Sequence, residues 1–286
     1  MAERSIQEVR AAQPSRDGDG VAIYRVAGMQ HAAMDPVLMI DELRSEQRED
    51  FIGGFPPHPH RGMQTLTYMK HGGLIHEDNS GNRGEIRSGG AQWMSAGRGI
   101  IHSEMPTVDT RGLHGFQLWV NLPAADKMNE PDYRDIPAQE MVTLAAAAFD
   151  ATVIAGNWTL DGESASGPLQ TLAARAGVLD LQLQPGAAVT VEVAPGDSLL
   201  GYIYAGSMLH EQRELGPRQL LITSHGERWQ LLAGAGGASL LLLRGEPLGE
   251  PVAQYGPFVM NTAAEIEQAI QDYQNGRFVP EARPLQ

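Results

Sequence analysis

Two short segments of this 286-residue chain carry paired metal-binding residue types. His58 and His60 lie one residue apart in FPPHPHRGM, and forty-two residues beyond His60 the segment GRGIIHSEMP carries His102 and Glu104 at the same spacing. Successive side chains of a strand point to opposite faces, so residues i and i+2 share one face. Each pair can therefore aim both of its side chains at one point, and two neighbouring strands can bring all four together. Three imidazoles and a carboxylate form a donor set for a first-row divalent ion, with positions left for water, substrate or O2. Fe, Mn, Ni, Cu and Zn all accept such nitrogen and oxygen donors, and donor identity alone does not rank them.

Composition narrows the alternatives. The chain has no cysteine, which excludes disulfides, thiolate zinc sites, iron–sulfur clusters and cysteine nucleophiles. Its 21 basic and 35 acidic residues give a formal net charge of −14, and no Lys/Arg-rich run occurs. Direct nucleic-acid binding, which needs a basic surface, is disfavoured. The N-terminal segment lacks the apolar core of a secretory signal, and no run reaches the length of a membrane span. The expectation is a cytoplasmic protein that does not engage a membrane.

The elements that must position the two pairs read as short strands. Segments 21–26, 37–43, 63–70, 73–78, 84–88, 91–95, 100–105 and 115–122 follow one another closely, joined by turns such as His71-Gly72-Gly73. This spacing predicts an antiparallel sandwich or barrel, because no helical crossover is available for a parallel sheet. Residues 123–141 read as a linker or surface excursion. Strands resume at 178–184, 188–194, 199–206, 218–224 and 239–245, with further strand-like material around 168–174. The chain thus divides into a metal-binding domain, 1–135, and a second β-domain, 136–286, ending in a helix at about 262–275. Thr262 and Glu265 have capping-box spacing, and Ile266, Ala269, Ile270 and Tyr273 form one apolar stripe. The second domain has His210 and His225 but no equivalent pairing, and reads as a metal-free structural partner.

Other residues are weaker candidates. Gln117 and Trp119 share a strand face and either line a pocket or pack as core and sheet edge. His76, in His76-Glu77-Asp78, stands before an Asn-Ser-Gly turn and reads as part of a solvated hairpin tip. Arg61, next to His60, points away from it and is a possible partner for an acidic substrate or for Glu104.

The segments FPPHPHRGMQTLTYM, GLIHEDNSG, AQWMSAGRGIIHSEMP and GEPVAQYGPFVMNT resemble the pirin family, a branch of the cupin superfamily, over most of the chain from about residue 20. The resemblance implies an all-β protein of two tandem double-stranded β-helix (cupin, jelly-roll-like) barrels with a C-terminal α-helix, and a metal in the first barrel only. Carried over residue by residue, its ligands fall on His58, His60, His102 and Glu104, and the HED motif puts His76 behind them. Many cupins place a glutamate ligand where Gln64 stands here, so Glu104 is expected to supply the charge instead, and Gln64 is expected beside the metal as a pocket residue. The resemblance further implies quercetin 2,3-dioxygenase activity. A flavonol or related enol would chelate the ion, Fe(II) by preference, Glu104 would accept the substrate hydroxyl proton, and O2 would be the co-substrate. It also leaves open a metal-dependent regulatory protein acting through a protein partner, as a transcription cofactor or a modulator of a metabolic enzyme.

Overall fold

The computed structural model describes residues 2–29 and 31–277, and nearly all of its regular structure is strand. The chain forms two compact units. One is built from the described residues of Pro14–Gln30, Val37–Gln139 and Gly249–Gln286, the other from those of Met1–Gln13, His31–Pro36 and Glu140–Leu248.

In the first unit the larger sheet runs, in spatial order, Asp132–Ile136, Ala91–Ser95, Met63–His71, Leu113–Asn121, Val37–Ser45, Val21–Ala27 and Gln13–Asp17. The smaller sheet runs Phe55–His60, Ile100–Pro106, Gly73–Asp78 and Arg83–Arg87. Their interior is layered. On Met63–His71, Met63 belongs to a cluster with Leu38, Met94 and Ile100, while Met69 belongs to another with Val21, Leu43, Leu74 and Ile86. The intervening residues of the same parity are Thr65 and Thr67, both buried. The opposite sheet repeats the arrangement, with Leu74 followed by His76 and Asp78, and Ile100 by His102 and Glu104. A polar layer therefore lies between two apolar ones, and that layer holds both ligand candidates of the Ile100–Pro106 strand.

The second unit is packed differently. Its main sheet runs Ile6–Ala11, Gln219–Thr223, Ser198–His210, Arg228–Gly245, Gly177–Leu183, Phe149–Ala155 and Val142–Ala146. The 18-residue strand Arg228–Gly245 also pairs with Ala188–Glu192, which continues the sheet through Asn157–Leu160 to Glu163–Ser166. One apolar cluster, including Phe149, Val153, Trp158, Leu181, Leu199, Trp229 and Leu242, fills the space between them.

The units do not follow a single cut between residues 135 and 136. Ile6–Ala11 is an edge strand on Gln219–Thr223, so the start of the chain completes the second unit. The helix, Ala263–Gln274, belongs to the first, where Ile266 and Ala269 pack with Phe258 and Met260. Thr262 and Glu265 form the full capping box, satisfying backbone N–H groups that a helix start leaves unpaired. The segment read as a linker contains the strand Asp132–Ile136, which pairs along its length with Ala91–Ser95. Around 168–174 no strand forms; Leu169 makes only an isolated bridge to Ala155.

Candidate metal centre

Phe55–His60 is a strand despite Pro56, Pro57 and Pro59, because it lies at the edge of its sheet. An edge strand tolerates residues that have no N–H to donate. Gly54, at φ +58°, lets it approach its neighbour: a Cβ there would meet the Glu104 carbonyl oxygen at 2.8 Å. Across this pairing His102 stands opposite His58 and Ile100 opposite His60, and a register shift then brings Glu104 opposite Phe55. All four candidate ligands consequently share one face.

The three imidazoles converge. Ring centroids are 4.8 Å apart for His58 and His60, 4.4 Å for His58 and His102, and 4.9 Å for His60 and His102. One nitrogen from each lies within 4.8 Å of the others. Ligands at about 2.1 Å from a first-row ion stand closer than that, so modest side-chain rotation brings the triad onto one ion. His58 Nδ1 is 2.8 Å from the Pro56 carbonyl, which leaves Nε2 for other use. His60 Nδ1 and His102 Nε2 are buried without a hydrogen-bond partner, and orphaned polar atoms of this kind call for an occupant. Burial, reinforced by the neighbouring His58, holds the His60 and His102 rings well below the ordinary imidazole value. Neutral rings present the lone pairs that a metal needs. This buried triad can hold a metal ion.

Glu104 is 2% exposed and is held from the facing sheet. The Gln117 amide donates to Oε2 at 2.7 Å, and the Thr67 hydroxyl stands 2.9 Å from Oε1. Two carboxylate oxygens with two such partners retain lone pairs for a metal or a proton. The triad of mutually close ligand atoms comprises the histidines alone, with Glu104 beside it.

A cavity of about 820 Å³ opens over these groups, lined by His58, His60, Glu104, Gln117 and Trp119. Phe55, Met29 and Met39 supply apolar wall, and Asp17, Arg25 and Asp41 a charged margin. Gln117 and Trp119 are thus pocket residues, with Trp119 edge-to-face against His60 at 5.2 Å.

Three sequence expectations need correction. His76 is no part of a solvated tip: it is 1% exposed, with Nδ1 3.2 Å from His102 Nδ1, and Asp78 is 3% exposed. Strand register, not the local sequence, brings His76 there. Gln64 has the opposite parity to Thr67, so it turns from Glu104 towards Ser95, with Nε2 3.5 Å from the Ser95 hydroxyl. Arg61 does point away from the triad, but its partners are the Arg98 carbonyl and Asp272 of the helix. Sequence reasoning missed Thr67 altogether; its alternation with buried Thr65 on one strand face was the available signal.

Comparison with known proteins agrees with this construction. The pirin family profile matches residues 20–120, and that of the pirin C-terminal cupin domain matches residues 178–279. A Vibrio cholerae protein named "Putative quercetin 2,3-dioxygenase" is 44% identical over 277 residues, covering 96% of this chain and 98% of its own. Human pirin is 36% identical over 268 residues, covering 91% of this chain and 89% of its own. The crystal structure of a quercetin 2,3-dioxygenase from Acinetobacter baumannii matches with a TM-score of 0.88 at 30% identity, over 98% of this chain and 100% of that one. An Escherichia coli pirin solved in complex with nickel(II) shares the fold at a TM-score of 0.60 and 19% identity, over 84% of this chain and 99% of that one. With both halves matched and relatives aligned over nearly the whole length, the chain belongs to the pirin family, as two tandem cupin barrels with a C-terminal helix.

Proposed function

We propose that this protein is a metal-dependent dioxygenase that opens the heterocyclic ring of flavonols or related enols with O2, with His58, His60, His102 and Glu104 as ligands. The observation that carries the reading is the converging imidazole triad beside a hydrogen-bonded carboxylate, with His58, His60 and Glu104 lining a cavity large enough for a flavonol. The names of the Vibrio and Acinetobacter proteins support the same chemistry. Three imidazole nitrogens and one carboxylate accept Fe(II) among other first-row ions, and Fe(II) is the metal we assign, following the preference that the pirin resemblance implies. Bound there, it would supply Lewis acidity towards the substrate oxygens and a redox route between substrate and O2.

The chain's own groups do the rest. In this reading Glu104 takes the proton of the substrate's enolic hydroxyl, while Gln117 and Thr67, at 2.7 and 2.9 Å from its oxygens, hold the carboxylate in position. Trp119, Phe55 and Met39 offer apolar walls to a planar aromatic body and exclude water from it. Arg25, held by Asp41 at 2.6 and 2.8 Å and by Asp17 at 2.5 Å, gives the margin of the cavity fixed polar groups for peripheral hydroxyls.

The test is to load the protein with Fe(II), add quercetin anaerobically, admit O2, and follow oxygen uptake and carbon monoxide release. Stoichiometric uptake and release support the proposal. An iron-loaded protein inert towards quercetin and other flavonols contradicts it, and recovery of a specific protein partner would then favour the regulatory role.

A further inference from the structure

We propose that Asp78 and His76 form a relay that fixes the tautomer of His102, so that a lone pair and not a proton on Nε2 faces the metal position. The inference rests on the assignment of His102 as a ligand. It makes His76 and Asp78 positioning residues, which act through His102 without touching the ion.

Register builds the relay. On the paired strands Gly73–Asp78 and Ile100–Pro106, Asp78 stands opposite His102 and His76 opposite Glu104. The His76 ring reaches diagonally to His102, with centroids 5.0 Å apart and the two Nδ1 atoms at 3.2 Å. Its other nitrogen faces Asp78 Oδ2 at 3.5 Å, a charge–dipole contact more than a full hydrogen bond. Tyr133 stacks on the ring at 4.5 Å and 28°, fixing its plane. Asp78 is itself anchored: Oδ1 accepts from the Ser80 and Asn82 backbone N–H groups, and Oδ2 accepts from the Asn82 amide. Burial pushes its carboxyl up, but the nearby His76 ring and the hydrogen bonds from Asn82 outweigh that and hold it below the usual range, ionised at neutral pH.

A neutral imidazole carries one N–H, and only one proton fits between two Nδ1 atoms 3.2 Å apart. With that proton on His76, the His76 Nε2 lone pair would face a carboxylate, and His102 would carry its own proton on Nε2. With it on His102, every contact alternates donor and acceptor: His102 Nδ1–H to His76 Nδ1, and His76 Nε2–H to Asp78. The second arrangement leaves His102 Nε2 bare, and that atom is buried without a partner; His76 Nε2 also lacks a full hydrogen bond, with Asp78 Oδ2 at 3.5 Å as its nearby acceptor. Outer partners of this kind typically contribute about 10–100-fold to metal affinity.

The test reads the tautomer and the affinity directly. Long-range 1H–15N correlation spectra of the metal-free protein should show His102 as the Nδ1–H tautomer. Asp78→Asn keeps an oxygen for the turn but turns N–H groups on His76, and should convert His102 to Nε2–H. Ni(II) affinity, measured by chelator competition, should fall about 10–100-fold in this variant. His76→Phe keeps the stack on Tyr133 and loses the acceptor, with a similar fall; His76→Gln, whose amide oxygen can accept the same proton, should retain more. A wild-type His102 found as Nε2–H overturns the proposal even if no variant folds. So does an Asp78→Asn protein with unchanged tautomer and affinity. A wild-type protein that binds no divalent ion would sink the ligand assignment and the relay with it, whereas absent flavonol turnover touches neither.

Discussion

The two barrels have the same architecture and opposite interiors. In the second unit Phe149, Val153, Leu181, Leu199, Trp229 and Leu242 pack as one apolar cluster. Two of its buried acidic groups are satisfied within the protein: Tyr204 donates to Asp180 at 2.5 Å, and Arg244 to Asp197 at 2.7 Å. In the first unit the apolar material is split into two clusters, with His60, His76, Asp78, His102, Glu104 and Thr67 buried between them. Burying polar groups is costly unless each finds a partner. Glu104 has its partners, whereas His60 Nδ1 and His102 Nε2 do not. A satisfied polar group can be structural. An unsatisfied one on the floor of a cavity marks the place where something binds.

The contrast can be broken at several points. The largest effect is expected from Glu104→Gln, which keeps the shape but turns one accepting oxygen into an N–H donor and removes the proton acceptor. Flavonol turnover should fall by at least about 100-fold, as steady-state oxygen uptake would show. Leu181→Ala strikes the other barrel, where it should destabilise by about 3 kcal/mol through lost burial and a cavity. Denaturant titration would measure that loss, and the folded variant should keep its full metal content. Thr67→Val, back in the polar layer, should cost about 1–2 kcal/mol and loosen Glu104, seen as weaker metal retention against a chelator.

The smallest effect concerns the helix. Burial pushes the Asp272 carboxyl up, but hydrogen bonds from Arg61 and Gln268 outweigh it and hold the group below the usual range. A depressed value stabilises the fold above the ordinary carboxylate range and is lost as pH falls through the folded-state value. Asp272→Asn should therefore cost about 1 kcal/mol at neutral pH. Its melting temperature should converge with that of the wild type as the pH falls from about 4 downward.

What could be read in the sequence followed from periodicity. Spacing of two residues put His58 with His60 and His102 with Glu104 on one face, and Gln117 with Trp119 on another, and the structure keeps all three pairings. The helix was legible from its capping box and its apolar stripe. Contacts set by register between strands were not. His76 meets His102 only because Gly73–Asp78 pairs with Ile100–Pro106 at one particular offset, and Gln64 misses the site by parity alone. Edge strands were also hidden: IQEVRA and DYRDI are mostly exposed, and such segments lack the apolar alternation that betrays a half-buried strand. Which unit owns the start of the chain and its helix depended on these same unreadable pairings.

The account's central claim is that the polar layer of the first barrel holds one metal ion through its histidines. Native mass spectrometry of the folded protein, after saturation with Fe(II) under anaerobic conditions and removal of excess metal, tests it most directly. The wild type should retain one ion per chain, His58→Ala/His102→Ala none, and His210→Ala/His225→Ala in the second unit one. A wild type without a stoichiometric ion, or a His58→Ala/His102→Ala protein that still carries one, would contradict the account.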